Sequence, residues 1–324
     1  MTKAIPWLAL TVPLALAACA VTSDSPTSSA GAGAASAPAE LMKWPALLER
    51  ERPSPNETVS YGDQAMQRVD VWLPAGKGPH PTVLMVHGGC WQTEIADRRI
   101  MNWIADDLRK RGIAVWNIDY RGVDREGGGY PGTFLDAAAA ADSLRQHAAR
   151  FNLDPSPLVA VGHSAGGHLA LWLAARRPRT DDPLIPRGSP LVAPDPIRID
   201  TVVSLGGLPD LELAATAPGS GCGTEVIEKL VGPATLSSRH VFADTSVPRL
   251  APLDVRQVLI NGRQDRIIPT EYAYDYQRRM RAAGDTVELR MLDRTGHVEL
   301  IAPETEAWAA AIAEIKAALG KRRR

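Results

Sequence analysis

The chain has 324 residues, 45% of them hydrophobic, with 36 Lys and Arg against 37 Asp and Glu and a formal charge of −1. That balance offers no basic face to a nucleic acid, and a mean hydropathy of −0.13 fits a soluble core rather than a set of membrane spans. The length would hold two average domains, but α/β folds of this size also form one.

The first 18 residues read as a targeting signal. Lys3 opens a short positive region, and residues 5–18 are apolar but too short and Pro-broken to span a bilayer. Leu16-Ala17-Ala18-Cys19 resembles a bacterial lipobox, in which the Cys19 thiol is acylated and becomes the new N-terminus. The alternative is an ordinary signal peptide cut near Ala-x-Ala. Ala20 after the cysteine resembles sorting to the outer membrane, facing the periplasm. Residues 22–39 are rich in Ser, Ala, Gly and Pro and have too little bulk to bury. A lipidated flexible tether is therefore expected over 19–52 and the folded domain over 53–324. Export would leave Cys90 and Cys222 where a disulfide can persist, and the reach between their Cα atoms decides whether one forms.

Residues 58–60 and 67–73, separated by Tyr61-Gly62-Asp63, predict an opening antiparallel hairpin. Strand 82–86 follows, then helix 95–110, strand 113–118, helix 133–149, strand 158–161 and helix 165–176. Strands 201–205 and 256–260, helix 270–282, strand 286–292 and helix 304–318 complete the set. This alternation implies an α/β architecture, a mostly parallel sheet with helices on both faces. Residues 207–250 interrupt it with Gly219-Ser220-Gly221-Cys222-Gly223 and scattered prolines. An insertion there either caps a pocket at the carboxyl ends of the strands or is a surface excursion. Gly127-Gly128-Gly129 lacks the G-K-[ST] of a phosphate loop and reads as a mobile loop near a site mouth.

The chemistry lies at strand ends. Gly162-His163-Ser164-Ala165-Gly166 joins a buried strand to a good helix former, a turn that forces the serine into a strained position with its hydroxyl above the sheet. His87-Gly88-Gly89-Cys90-Trp91 follows strand 82–86, and its glycines let backbone N–H groups approach a developing oxyanion. Gly88, Gly89 and Cys90 are the candidate donors on that loop, and Ala165 supplies another. Asp265 lies in the loop after strand 256–260, and His297 follows strand 286–292 in Arg294-Thr295-Gly296-His297. In this order His297 would take the Ser164 proton and Asp265 would fix the imidazole tautomer. Asp210, after strand 201–205, is a rival acid. Asp293 and Glu299 flank His297 too closely in sequence to reach its ring easily. The remaining histidines lack metal-ligand spacing, so neither a metal nor a cofactor is expected.

These motifs, with Asp119-Tyr120-Arg121-Gly122 and the stretch Gln67-Arg68-Val69-Asp70-Val71-Trp72-Leu73-Pro74, resemble the α/β-hydrolase superfamily over about residues 55–320. Within it they are similar to the kynurenine-formamidase-like and feruloyl-esterase-like (BD-FAE) group. Cys90 departs from the pattern, standing where lipase-type members carry a third glycine. The resemblance implies a cofactor-free serine hydrolase acting on a small-molecule ester. Amide or formamide hydrolysis is the alternative with the same catalytic residues, and a binding protein that kept the fold without the chemistry is the other.

Overall fold

The computed structural model describes residues 40–176, 189–191, 194–216, 221–234 and 240–320. Its sheet begins with the hairpin β1 (Glu57–Ser60) and β2 (Arg68–Trp72), paired antiparallel with Glu57 opposite Val71. Six strands follow: β3 (His80–Val86), β4 (Ala114–Ile118), β5 (Leu153–His163), β6 (Thr201–Leu205), β7 (Arg256–Gly262) and β8 (Val287–Leu292). Their order is β1-β2-β4-β3-β5-β6-β7-β8, with every pair from β4 onward parallel. This is the α/β arrangement that the alternating pattern predicts.

Strand alternation sorts the core into two layers. Leu84, Trp116, Ala160, Val202 and Leu259 face one side, packed under α3 (Gly132–Asp142), α4 (Leu144–Phe151), α5 (Ala165–Ala175) and α8 (Thr270–Ala282). Met85, Val115, Val161, Val203 and Val258 face the other, under α1 (Trp44–Leu48), α2 (Asn102–Lys110) and α9 (Glu306–Leu319). Side chains on both faces are fully buried, which is why these strands read as continuous apolar runs. Each such aliphatic side chain contributes about 1.5–3 kcal/mol relative to exposure.

Four elements differ from expectation. The helix predicted over 95–110 is α-helical only from Asn102, after a 3-10 turn over Arg98–Met101. The helix predicted over 133–149 is two, α3 and α4, because the Ser143 hydroxyl donates to the Ala140 carbonyl oxygen at 2.8 Å and competes with the helical ladder. Strand 158–161 extends to Leu153–His163, since Leu153 and Asp154 pair with His80 and Pro81 of β3. The domain boundary expected at residue 53 lies earlier. Residues 40–52, assigned to the tether, include α1, whose Leu47 is fully buried in the α2–α9 layer. Arg50 is bound to Glu304 at 2.9 Å, and Trp103 Nε1 donates to the Glu51 carbonyl at 3.1 Å. One leucine in the core and two polar clasps are enough to fix a segment that the sequence reading places in the tether. The signal, Cys19 and the tether to residue 39 lie outside the described residues.

The insertion after β6 carries α6 (Leu211–Thr216) and α7 (Thr224–Val231). Cys222, just ahead of α7, is disulfide-bonded to Cys90 with their Cα atoms 5.2 Å apart, and the Gly221 N–H donates to the Ile267 carbonyl at 3.0 Å. The insertion is thereby tied to the loops that follow β3 and β7.

Candidate active site

Ser164 stands between β5 and α5 with φ 54° and ψ −123°, a conformation that costs an L-residue energy and persists because its surroundings impose it. A Cβ at Gly162 would collide with the Gly166 carbonyl oxygen, and one at Gly166 with the Val86 carbonyl oxygen. Both glycines are therefore required for the turn to close. The Ser164 N–H donates to the Leu205 carbonyl at 2.9 Å, fixing the turn to the end of β6. Its Oγ has no hydrogen-bond partner among the described residues.

His297 and Asp265 meet at the carboxyl ends of β8 and β7. Nδ1 of His297 donates to Oδ2 of Asp265 at 2.7 Å, with both side chains almost wholly buried. Oδ1 of Asp265 accepts the N–H groups of Ile267 at 2.8 Å and Ile268 at 2.9 Å. The carboxylate is thus held on both oxygens, and a proton on Nδ1 leaves the Nε2 lone pair of His297 free to act as a base. Asp210 is elsewhere. It accepts from the Ser246 hydroxyl and the Leu213 N–H, each at 3.1 Å, and pairs with Arg279. Asp293 pairs with Arg263 at 2.7 Å, away from the imidazole.

The elbow and the histidine loop touch through His163. Its ring centroid lies 4.4 Å from that of His297, and its Nε2 donates to the His297 carbonyl oxygen at 3.1 Å. Burial pushes the His163 imidazole well below the usual histidine range, and the neighbouring His297 adds to this. A neutral ring with its proton on Nε2 leaves Nδ1 as an acceptor, and that atom is buried without a partner among the described residues. Within the pentapeptide His163 holds a variable position, and its contact with a histidine 134 residues away has no local signal.

The loop after β3 approaches from the other side. A Cβ on Gly88 would lie 3.0 Å from the Ser164 Cβ and 2.9 Å from the His163 carbonyl oxygen, so only glycine lets this backbone sit so close. Gly89, Cys90 and Trp91 continue at φ 107°, 51° and 52°. No acceptor among the described residues takes the N–H of Gly88, Gly89, Cys90 or Ala165. Ala165 is also the first residue of α5, where the helix dipole favours negative charge.

A buried polar chain braces this loop. His87 Nε2 lies 2.9 Å from Asp119 Oδ1, Arg98 Nη1 lies 2.9 Å from Asp119 Oδ2, and Arg98 Nε lies 2.9 Å from Asp70. Tyr120 stacks on the His87 ring at 4.3 Å and donates its hydroxyl to the His87 carbonyl at 2.9 Å. The resemblance drew attention to Asp119-Tyr120, but not to what they hold.

Comparison with known proteins gives the family and the fold. The BD-FAE family profile matches residues 69–280. Esterase LipC of Mycobacterium tuberculosis is 30% identical over 74% of this chain and 61% of its own length. A probable isoprenylcysteine alpha-carbonyl methylesterase of Arabidopsis thaliana is 33% identical over 36% of this chain and 24% of its own. The chain thus spans about three fifths of the first relative and a quarter of the second. Among solved structures, Esterase B from Lactobacillus Rhamnosis (HN001) superimposes with a TM-score of 0.67 over 84% of this chain and 89% of that one, at 17% identity.

Proposed function

The chain belongs to the BD-FAE family and has the α/β-hydrolase fold, and from that premise we propose that it cleaves carboxylic esters through an acyl-enzyme on Ser164. The buried His297–Asp265 pair, in contact through His163 with the turn that holds Ser164 in a forced backbone conformation, is the observation that carries this reading. Ser164 Oγ attacks the ester carbonyl while His297 Nε2 accepts its proton. The negative oxygen faces the N–H groups of Ala165 and of the Gly88–Cys90 turn. His297 then returns the proton to the departing alcohol. A water molecule, deprotonated by the same nitrogen, attacks the acyl carbonyl and releases the acid and the serine.

A fluorophosphonate probe is expected to label the purified chain, and short p-nitrophenyl esters to turn over faster than N-formylkynurenine. Faster formamide cleavage would replace the ester reading by the formamidase one. Neither label nor turnover would leave a binding protein.

We also propose that the mature chain is a lipoprotein of the bacterial envelope, anchored through Cys19 and facing the periplasm. The Cys90–Cys222 bond supports export, because disulfides persist in the periplasm and are rare in a reducing cytosol. Cys19→Ser is expected to move the protein from the membrane fraction to the soluble one. A variant that still sediments with membranes after a high-salt wash would place the anchor elsewhere.

A further inference from the structure

Residues 41–48 lie against the loop that carries His297, and a buried carboxylate latches them there. The Met42 N–H donates to Glu299 Oε1 at 2.5 Å, while Oε2 of the same side chain accepts the Gly296 N–H at 3.1 Å. Glu299, too close in sequence to serve the imidazole, instead couples the chain's N-terminal segment to the residue before His297. The methyl carbons of Leu41 sit over Gly296, where a Cβ would meet them at 3.6 and 3.7 Å. With Leu47 buried in the core, Trp44 is fixed from both sides. Its ring centroid lies 6.3 Å from those of His163 and His297, at 73° to each. Between this segment and residues 263–267 is a cavity of about 1010 Å³, with Trp44, Leu41, Ile267, Val298 and His297 on its walls.

We propose that this cavity takes the alcohol side of the ester, and that Trp44 makes the enzyme select an aromatic alcohol. The inference rests on the serine-hydrolase reading above. In that chemistry the leaving oxygen must come within reach of His297, which protonates it, while the carbonyl oxygen turns toward Ala165 and the loop after β3. The alcohol therefore lies on the His297 side, where the walls belong to residues 40–45, 263–267 and 296–298. A flat apolar group placed there abuts the Trp44 indole, and aromatic pairs gain energy from ring geometry beyond the area they bury. Leu41, Ile267 and Val298 offer such a group apolar contact, and the exposed Glu40, Lys43, Arg263, Gln264 and Arg266 make the rest of the lining polar.

The test compares kcat/KM for 2-naphthyl acetate and ethyl acetate, which share an acyl group and differ in the alcohol. Trp44→Ala is expected to lower the naphthyl-to-ethyl ratio about tenfold relative to wild type, and Trp44→Phe to restore most of it. Intrinsic leaving-group reactivity cancels, because it is the same in every variant. Trp44→Leu repeats the measurement should the alanine variant be too unstable to purify. An unchanged ratio, or equal losses on both esters, would overturn the proposal. So would a selective loss on methyl 2-naphthoate, which carries the aromatic group on the acyl side. Failure of the underlying reading looks different: wild type would neither take the fluorophosphonate label nor cleave any of the three esters.

Discussion

Ser164→Ala is expected to abolish fluorophosphonate labelling and to lower kcat on p-nitrophenyl acetate by on the order of a millionfold, with little change in thermal stability. The magnitude follows from what the site would retain. His297, Asp265 and the N–H donors would remain, but without Oγ no acyl-enzyme forms, and only binding and oxyanion stabilisation of direct water attack persist. The small stability effect follows from the local structure: Ser164 Oγ has no hydrogen-bond partner to lose among the described residues, and an alanine meets the same positive φ that the serine already bears. His297→Ala should produce a loss of similar size, and the double variant little more, because nucleophile and base act as one unit. Near-normal hydrolysis by Ser164→Ala would remove the elbow from the mechanism.

The elbow was legible because a single local constraint writes it: a backbone turn that only glycines can flank, between an apolar run and a helix former. The loop after β3 is legible for the same reason. What sequence leaves open involves partners brought together by the sheet. Asp210 and Asp265 both follow strands; the Asn261-Gly262 turn and Pro269 favour Asp265, but local sequence does not show which carboxylate faces His297. The structure separates them through distant residues, Arg279 and Ser246 for one, His297 for the other. Cys90 and Cys222 are 132 residues apart, and their pairing depends on where the insertion lands. Trp44 was hidden more completely. The family resemblance begins near residue 55, and the segment ahead of it follows directly on a linker, so neither motif nor periodicity marks residues 41–48 as part of the site. Their docking depends on Leu47 and on Glu299, whose partner in sequence order is 257 positions away.

Asp265→Asn is expected to cost about ten-thousandfold in kcat while leaving KM and the fold nearly intact. The reason is specific to how this carboxylate is held. One oxygen accepts two backbone N–H groups, from Ile267 and Ile268, so the asparagine must place its carbonyl oxygen there. Its NH2 group then faces His297 Nδ1 at the position now occupied by Oδ2. A donor at that point can be satisfied only by an Nδ1 lone pair, which moves the imidazole proton to Nε2. With Nε2 protonated, His297 cannot accept the Ser164 proton, and the base is lost although every atom is nearly in place. Asp210→Asn should behave differently. Burial pushes the Asp210 carboxyl up, and its partners are Ser246, Leu213 and Arg279, none of which touches the reacting atoms. That variant should lower the melting temperature with kcat within a few-fold of wild type. A near-silent Asp265→Asn beside a crippled Asp210→Asn would transfer the catalytic acid to Asp210.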